Sequence, residues 1–333
     1  MATLADVARH AGVAASTVSY VLSGKRPVSL ATRCRVERSI ELLGYHPHAG
    51  ARALASSRSS VIALVVPLCS DLYLPVMTEI AIAVTTAARR FGYDVLLLTN
   101  DEGAEGIRRV AVSARADAMI LIDVTMEDER LPTLRDVSID AVLIGVPADP
   151  SGLGCVDLDY AAAGELCAGH LASLGHREVA FIGEAAAVYQ RRSGFAERTL
   201  RGVMDEAAAR GIRVVHWPCE GSHAAAAAAI TRILADQPGT TGLIVQNEAI
   251  ISPLLSVLRT AGRDVPEAVS VVALCSDQGA ERTSPHLTSV AIPAQDMGRR
   301  AVELLARRLD DGAGSEVVLL PPRLTVRGST ARV

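Results

Sequence analysis

The sequence predicts two unlike parts: a small all-α segment at the N-terminus, then a larger α/β body built on parallel sheets. Three observations carry this. Short helical patterns fill the first 45 positions, charge is divided unevenly along the chain, and from position 61 onward continuous apolar runs alternate with helical patterns.

The chain has 333 residues, more than one ordinary core needs. Residues 1 to 60 hold eight Lys/Arg against Asp6, Glu37 and Glu41, a net charge of +5, while the remainder carries 25 bases against 34 acids, a net of -9. That split points to a nucleic-acid arm on an acidic body, with a chance cluster on a solvated face as the alternative. No apolar run approaches the ~20 residues that span a bilayer, and the start, Met1 to Asp6, lacks a charged region followed by an apolar stretch. The six cysteines (Cys34, Cys69, Cys155, Cys167, Cys219, Cys275) form no CxxC pair, so neither a disulfide framework nor a zinc cluster is implied. A cytoplasmic protein with no metal and no cofactor is expected.

Leu4, Val7, Ala8 and Ala11 fall at i, i+3, i+4 and i+7 and predict a first helix, stopped at Gly12. Val18, Val21 and Leu22 give the inward face of a second helix, ending at Ser23-Gly24. Ser29 is placed to cap a third helix with Val36, Ile40 and Leu43 inward and Gly44 after it. Pro47 breaks the pattern, residues 49 to 55 suit a short helix, and Ser56 to Ser60 has the composition of a linker.

Val61 to Val66 then reads as a buried strand, Val76 to Phe91 as a helix and Asp94 to Leu98 as a strand. Helical patterns follow near 104–115, 161–174, 196–210, 223–236, 250–262 and 296–310, separated by apolar runs near 118–122, 141–146, 179–183, 241–246 and 269–274. Such alternation implies parallel sheets covered on both faces, and two sheets fit about 270 residues better than one.

The segment Thr3 to Val13, followed by Ser16 to Leu22, has helix-turn-helix spacing: two helices, a turn with glycine, and small polar residues opening the second helix. Short side chains there let a helix backbone approach base edges in the major groove. Enzymes also contain short helices joined by short loops, so the spacing alone leaves both readings open. These residues, together with Arg33, Leu43-Gly44-Tyr45, Pro47 and Ala51 to Leu54, resemble the headpiece of the lactose-repressor (LacI/GalR) family without a gap from Thr3 to Leu54. The resemblance continues through Asp159, Gly164, Leu174 to Gly183, Asn247-Glu248, Val265-Pro266, Val269 to Val272 and Leu287 to Val290.

The resemblance implies a helix-turn-helix headpiece with a hinge helix over residues 1–58, and a two-lobed body like periplasmic binding proteins over 60–333. Lobe 1 would take about 60–157 and 290–320, lobe 2 about 160–287 and 322–333. It implies a repressor bound to palindromic operator DNA as a homodimer, controlled by a small-molecule effector, with sugars as the family's usual class. Ala15, Ser16 and Tyr20 would face base edges, with Thr3, Thr17, Ser19, Arg33 and Arg52 near the backbone. Leu54 is similar to an apolar wedge driven into the minor groove at a central step. Where the family usually has an N-capping serine this chain has Ala14. Effector contacts implied by the family's order are Tyr73, Tyr189, Arg191, Arg192, Asn247 and Asp277, at or after strand ends. Aromatic residues are only 3% of the chain, with one tryptophan, Trp217, which offers little for stacking on a pyranose.

Two rival classes are an α/β enzyme and a solute-binding protein with an incidental basic arm. The sequence contains no GxSxG, HExxH or GxxxxGK[ST], and Gly152-Leu153-Gly154 lacks the third glycine of a dinucleotide loop. His170, His176 and Cys167 sit at spacing unsuited to a metal, and a structural role explains them better. No leucine heptads follow Arg323 to Gly328, so a dimer rather than a tetramer is expected.

Overall fold

The computed structural model describes residues 2–23, 26–45, 58–66, 74–99, 103–150, 152–312 and 315–333. Arg52, Leu54 and Tyr73, the histidines at 46 and 48, and the hinge stretch 48–56 lie outside the described residues.

Three helices open the chain: α1 (Leu4–Ala11), α2 (Ala15–Ser23) and α3 (Leu30–Leu43). Their small core joins Val7, Ala8 and Ala11 of α1 to Val18 of α2, Val36 of α3 and Tyr45, with Val21, Ile40 and Leu43 packed at its edge. Leu22 departs from the sequence expectation and is 41% exposed. It stands one residue before the end of α2, past the reach of the small core that Val18 and Val21 already meet. Gly12 ends α1 at φ 64°, donating its N–H to the Ala8 and Arg9 carbonyls, a backbone state glycine adopts without strain. A polar tie unseen in the sequence reading crosses the bundle: His10 Nδ1 lies 3.0 Å from the Ser39 hydroxyl, which donates to Arg35 O.

The body holds two six-stranded sheets among the described residues. The first is ordered β11-β5-β4-β3-β1-β2, with β1 (Val61–Val66), β2 (Asp94–Thr99), β3 (Ala118–Ile122), β4 (Asp140–Ile144), β5 (Gly154–Leu158) and β11 (Val317–Leu320) all parallel. The second is ordered β12-β10-β9-β8-β6-β7, with β6 (Glu178–Gly183), β7 (Arg213–Pro218), β8 (Gly242–Val245), β9 (Ser270–Cys275), β10 (Thr288–Ala291) and β12 (Leu324–Thr325). Only the β10–β12 pair is antiparallel.

Period-two alternation splits each sheet between two cores. Ile62, Leu64 and Val66 pack under α4 (Leu74–Arg90) and α13 (Ala294–Asp311), while Ala63 and Val65 pack under α5 (Gly103–Val112) and α6 (Arg130–Asp136). In the second sheet Ala180 and Ile182 face α10 (His223–Asp236) and α11 (Ile251–Thr260). Val179 and Phe181 face α7 (Tyr160–Ser173) and α9 (Gly194–Arg210). Two short helices, α8 (Ala186–Gln190) and α12 (Asp277–Glu281), follow β6 and β9.

The chain passes between the sheets three times: from β5 to β6, from β10 through α13 to β11, and from β11 to β12. Its last residues are sewn onto the second sheet. Ser329 Oγ accepts from Thr288 N at 2.8 Å and donates to Val271 O at 2.6 Å, and His176 bridges Thr241 Oγ1 and Ala331 O. His170 meets Thr330, so both histidines serve the tail. At the other end, the serine-rich stretch expected to be a linker is pinned where it enters the body. The Ser59 and Ser60 N–H groups donate to the Asp117 carboxylate at 2.6 and 2.8 Å.

Candidate functional site

Two regions concentrate exposed or unneutralised polar groups. The first is the outer face of α2. Ala15 and Ser16 are exposed, and Thr17, Ser19 and Tyr20 are half-buried around the buried Val18. Ser16 and Tyr20 are one helical turn apart and share a face. Tyr20 is outside the small core, and the Arg26 guanidinium sits 5.3 Å above its ring, a cation–π contact that stiffens both. Arg33 is exposed on α3, which Ser29 caps through Thr32 N. Thr3 is exposed but engaged. Its hydroxyl accepts from Asp6 N and donates to the Asp6 carboxylate at 2.7 Å, and its own N–H donates there too at 2.9 Å; the hydroxyl first and then the N–H hold that carboxyl below its ordinary range. α2 has no side-chain cap at Ala14, whose carbonyl accepts from Thr17 N and Val18 N.

The second region is a cavity between the two sheets. It lies where strands end, at Asp123 and Val124 after β3, Gly145 after β4, Glu184 after β6, and Gln246 and Glu248 after β8. Open α/β sheets place ligands at such strand ends. Aliphatic side chains such as Val76, Ile80, Ile122, Ile144 and Leu274 make most of its wall. Tyr160 and Phe195 add a tilted aromatic pair 5.7 Å apart.

Of the effector contacts expected from the sequence, Arg191 reaches this cavity. Its guanidinium is 3.1 Å from Asp123 and donates to Ser193 Oγ. Asp123 in turn is set by the buried Arg130, which donates to the Ile122 and Asp123 carbonyls and grips Asp128 at 2.6 Å. Arg130 keeps Asp128 ionised against the opposing effect of burial. Arg192 stays on the rim, tied to Glu127 and Glu197, and a Thr125–Ser193 backbone bridge joins the two rims.

Among the described residues, the other expected contacts do not line the cavity. Tyr189 stands behind its wall, accepting from Glu184 N and donating to Gln246 Oε1, both at 3.3 Å. Asn247 caps the turn after β8 through Ala249 N and donates to Cys219 O. Asp277 is on the outside, paired with Arg327 at 2.9 Å.

The sequence reading missed Asp157, Gln246 and Glu248. Asp157 is the clearest loss, because an acid inside the apolar run Cys155 to Leu158 is itself a signal of a special environment. It accepts from the Leu158 and Val146 N–H groups, yet burial pushes its carboxyl up to about 7 despite the attraction of Arg198. Burial likewise raises Glu248, which accepts from Ser276 N and Oγ at 3.0 and 2.7 Å.

A three-helix unit with an exposed second helix, joined to a two-sheet body with a cavity at the strand ends, defines a DNA-binding regulator with a ligand-sensing body. Residues 3–48 match the model of "Bacterial regulatory proteins, lacI family", and residues 168–330 match "Periplasmic binding protein-like domain". The transcriptional regulator CelR of Thermobifida fusca is 31% identical over 98% of both chains. Catabolite control protein A of Staphylococcus aureus is 26% identical over 98% of this chain and 99% of its own. Among solved structures, a CelR–cellobiose complex superposes with a TM-score of 0.71 at 28% identity over 99% of this chain and 100% of the other. A lac repressor dimer bound to operator and an anti-inducer reaches 0.84 at 22% identity over 99% of both chains. The chain belongs to the lacI family of bacterial regulatory proteins; it is a transcription regulator and not an enzyme.

Proposed function

We propose that this regulator acts as a cytoplasmic homodimeric repressor, reading one operator half-site with each α2 and releasing or gripping DNA when an effector enters the cavity between the sheets. The carrying observation is the pairing of an exposed, small-residue face on α2 with a largely apolar cavity at the strand ends. Ala15, Ser16 and Tyr20 would meet base edges, with Thr3, Thr17, Ser19, Arg33 and Arg52 near phosphates and Leu54 in the minor groove. Residues 1–58 would form the reading unit and 60–333 the sensing body, its lobes following the two sheets.

A twofold operator requires a twofold protein. Support for the pairing surface comes from the first lobe, where Ile82 on α4 and Leu97 on the edge strand β2 are about 60% exposed beside one shallow groove. Closure of the lobes on an effector would change the spacing of the two hinge segments near 48–56 and so let them fold together or melt.

The test begins by selecting genomic fragments with the full chain. Binding of the recovered fragment is then compared between the full chain and residues 59–333 by fluorescence anisotropy. Specific binding should vanish in the shorter chain; a body that still selects its fragment contradicts the division of labour.

A further inference from the structure

The cavity between the sheets is rich in carboxylates and poor in cations. Asp123, Asp157, Glu184 and Glu248 line it, against Arg191 alone among the described residues. Arg191 is committed to Asp123. Asp157 comes from the first sheet and Glu248 from the second. Each accepts hydrogen bonds from neutral groups, and neither has a basic group within ion-pairing distance among the described residues. Arg198 acts on Asp157 from further off, and its Nη1 is buried without a hydrogen-bond partner. Buried carboxylates in this state are costly unless a positive group joins them.

A second observation is independent of charge. Gln246 is only 4% exposed, lines the cavity, and its Nε2 has no hydrogen-bond partner. Tyr189 OH donates to Gln246 Oε1, which leaves the amide NH2 as a donor in want of an acceptor. The cavity therefore asks for a positive group and, separately, for an oxygen acceptor.

We propose that the cavity takes a small protonated amine with an apolar body, its ammonium answered by Asp157 and Glu248 and an oxygen acceptor on it answered by Gln246. This rests on the effector reading above and names the effector's chemical class. Because the two carboxylates belong to different sheets, an ammonium drawn to both favours approach of the lobes.

The experiment uses the full chain and matched pairs of probes: 4-methoxyphenethylamine with 4-methoxyphenethyl alcohol, 3-butoxypropylamine with 3-butoxypropanol, and glucosamine with glucose and cellobiose. Thermal shift and titration calorimetry are the readouts. At least one amine should raise Tm by about 3 °C or more at millimolar concentration while its neutral partner does not. Asp157→Asn and Glu248→Gln should each weaken that amine by about ten-fold or more, a loss of roughly one ion pair. Asp277→Asn, outside the cavity, should leave it unchanged. Preference for the neutral partners overturns the amine assignment and leaves effector control standing. Silence from all probes also overturns it. Effector control is then judged separately, by whether boiled cell extract changes retention of the selected genomic fragment.

Discussion

Asp157 links the cavity to the stability of the fold. Its carboxyl is raised from 3.8 to about 7 because burial disfavours the charge. Below pH ~4 it is protonated both folded and unfolded, so it contributes nothing to pH dependence. Between about 4 and 7 the folded chain holds a proton that the unfolded chain releases, so stability falls as pH rises through that window, and above it the full cost of the buried charge is present. Asp157→Asn should therefore stabilise the protein at pH 8 by about 1 to 3 kcal/mol, with the gain fading toward pH 4. Urea unfolding at both values checks this, and a variant that is less stable at pH 8 contradicts it. The same variant loses amine affinity in the proposal above, so weaker binding there is not a sign of unfolding. At this scale the sequence was legible where side chains act singly. Arg191, expected from the family's order of residues after the Val179 to Gly183 strand, does line the cavity. Asp277 and Asn247 were misplaced because a shift of one or two positions after a strand decides whether a side chain faces the cavity.

Helices α7 and α9 show how closely an element pair depends on a missing side chain. A Cβ at Gly202 would stand 2.0 Å from Ala161 O, and one at Gly164 would stand 2.4 Å from Thr199 O, so the backbones touch where these glycines meet. Gly202→Ala should cost about 2 to 3 kcal/mol by overpacking and lower Tm by several degrees. Gly211→Ala, at the αL end of α9, meets no neighbour and strains only the backbone, so its loss should be smaller. A Gly202→Ala protein as stable as the parent would mean the helices can slide apart. Long elements were readable in advance: β1 was placed at its observed bounds, and the helices near 161–174 and 223–236 fell within a residue. The omissions are short or interrupted. β5 contains Asp157, β7 carries His216 and Trp217 on a part-exposed edge, and β10 to β12 span four residues or fewer. Such runs pair because neighbouring strands offer partners, a tertiary cause that leaves little local pattern.

For the whole molecule, specificity and affinity should separate by mutation. Leu54→Ala removes the proposed wedge and should lower affinity for the selected fragment by roughly ten-fold or more while leaving random DNA nearly unaffected. Arg33→Ala should weaken both DNAs alike and reduce the salt slope by about one charge. Anisotropy across a salt series distinguishes them. If Leu54→Ala leaves the ratio of the two affinities unchanged, discrimination must rest on Ala15, Ser16 and Tyr20. The headpiece was the most legible part, because capping, turn and core residues lie within one short stretch. The interlobe cavity was the least, because its walls come from segments as distant as Val76 and Met297. The threefold passage of the chain between the sheets also governs its birth on the ribosome. β5 is synthesised by residue 158, but its partner β11 ends at residue 320, roughly ten seconds or more of translation later at 5 to 20 residues per second. Through that interval the nascent first lobe offers a bare strand edge to its surroundings. A nonsense mutation near the end of the gene would make that edge permanent and, by losing β12 and Ser329 as well, would leave the second lobe unfinished too.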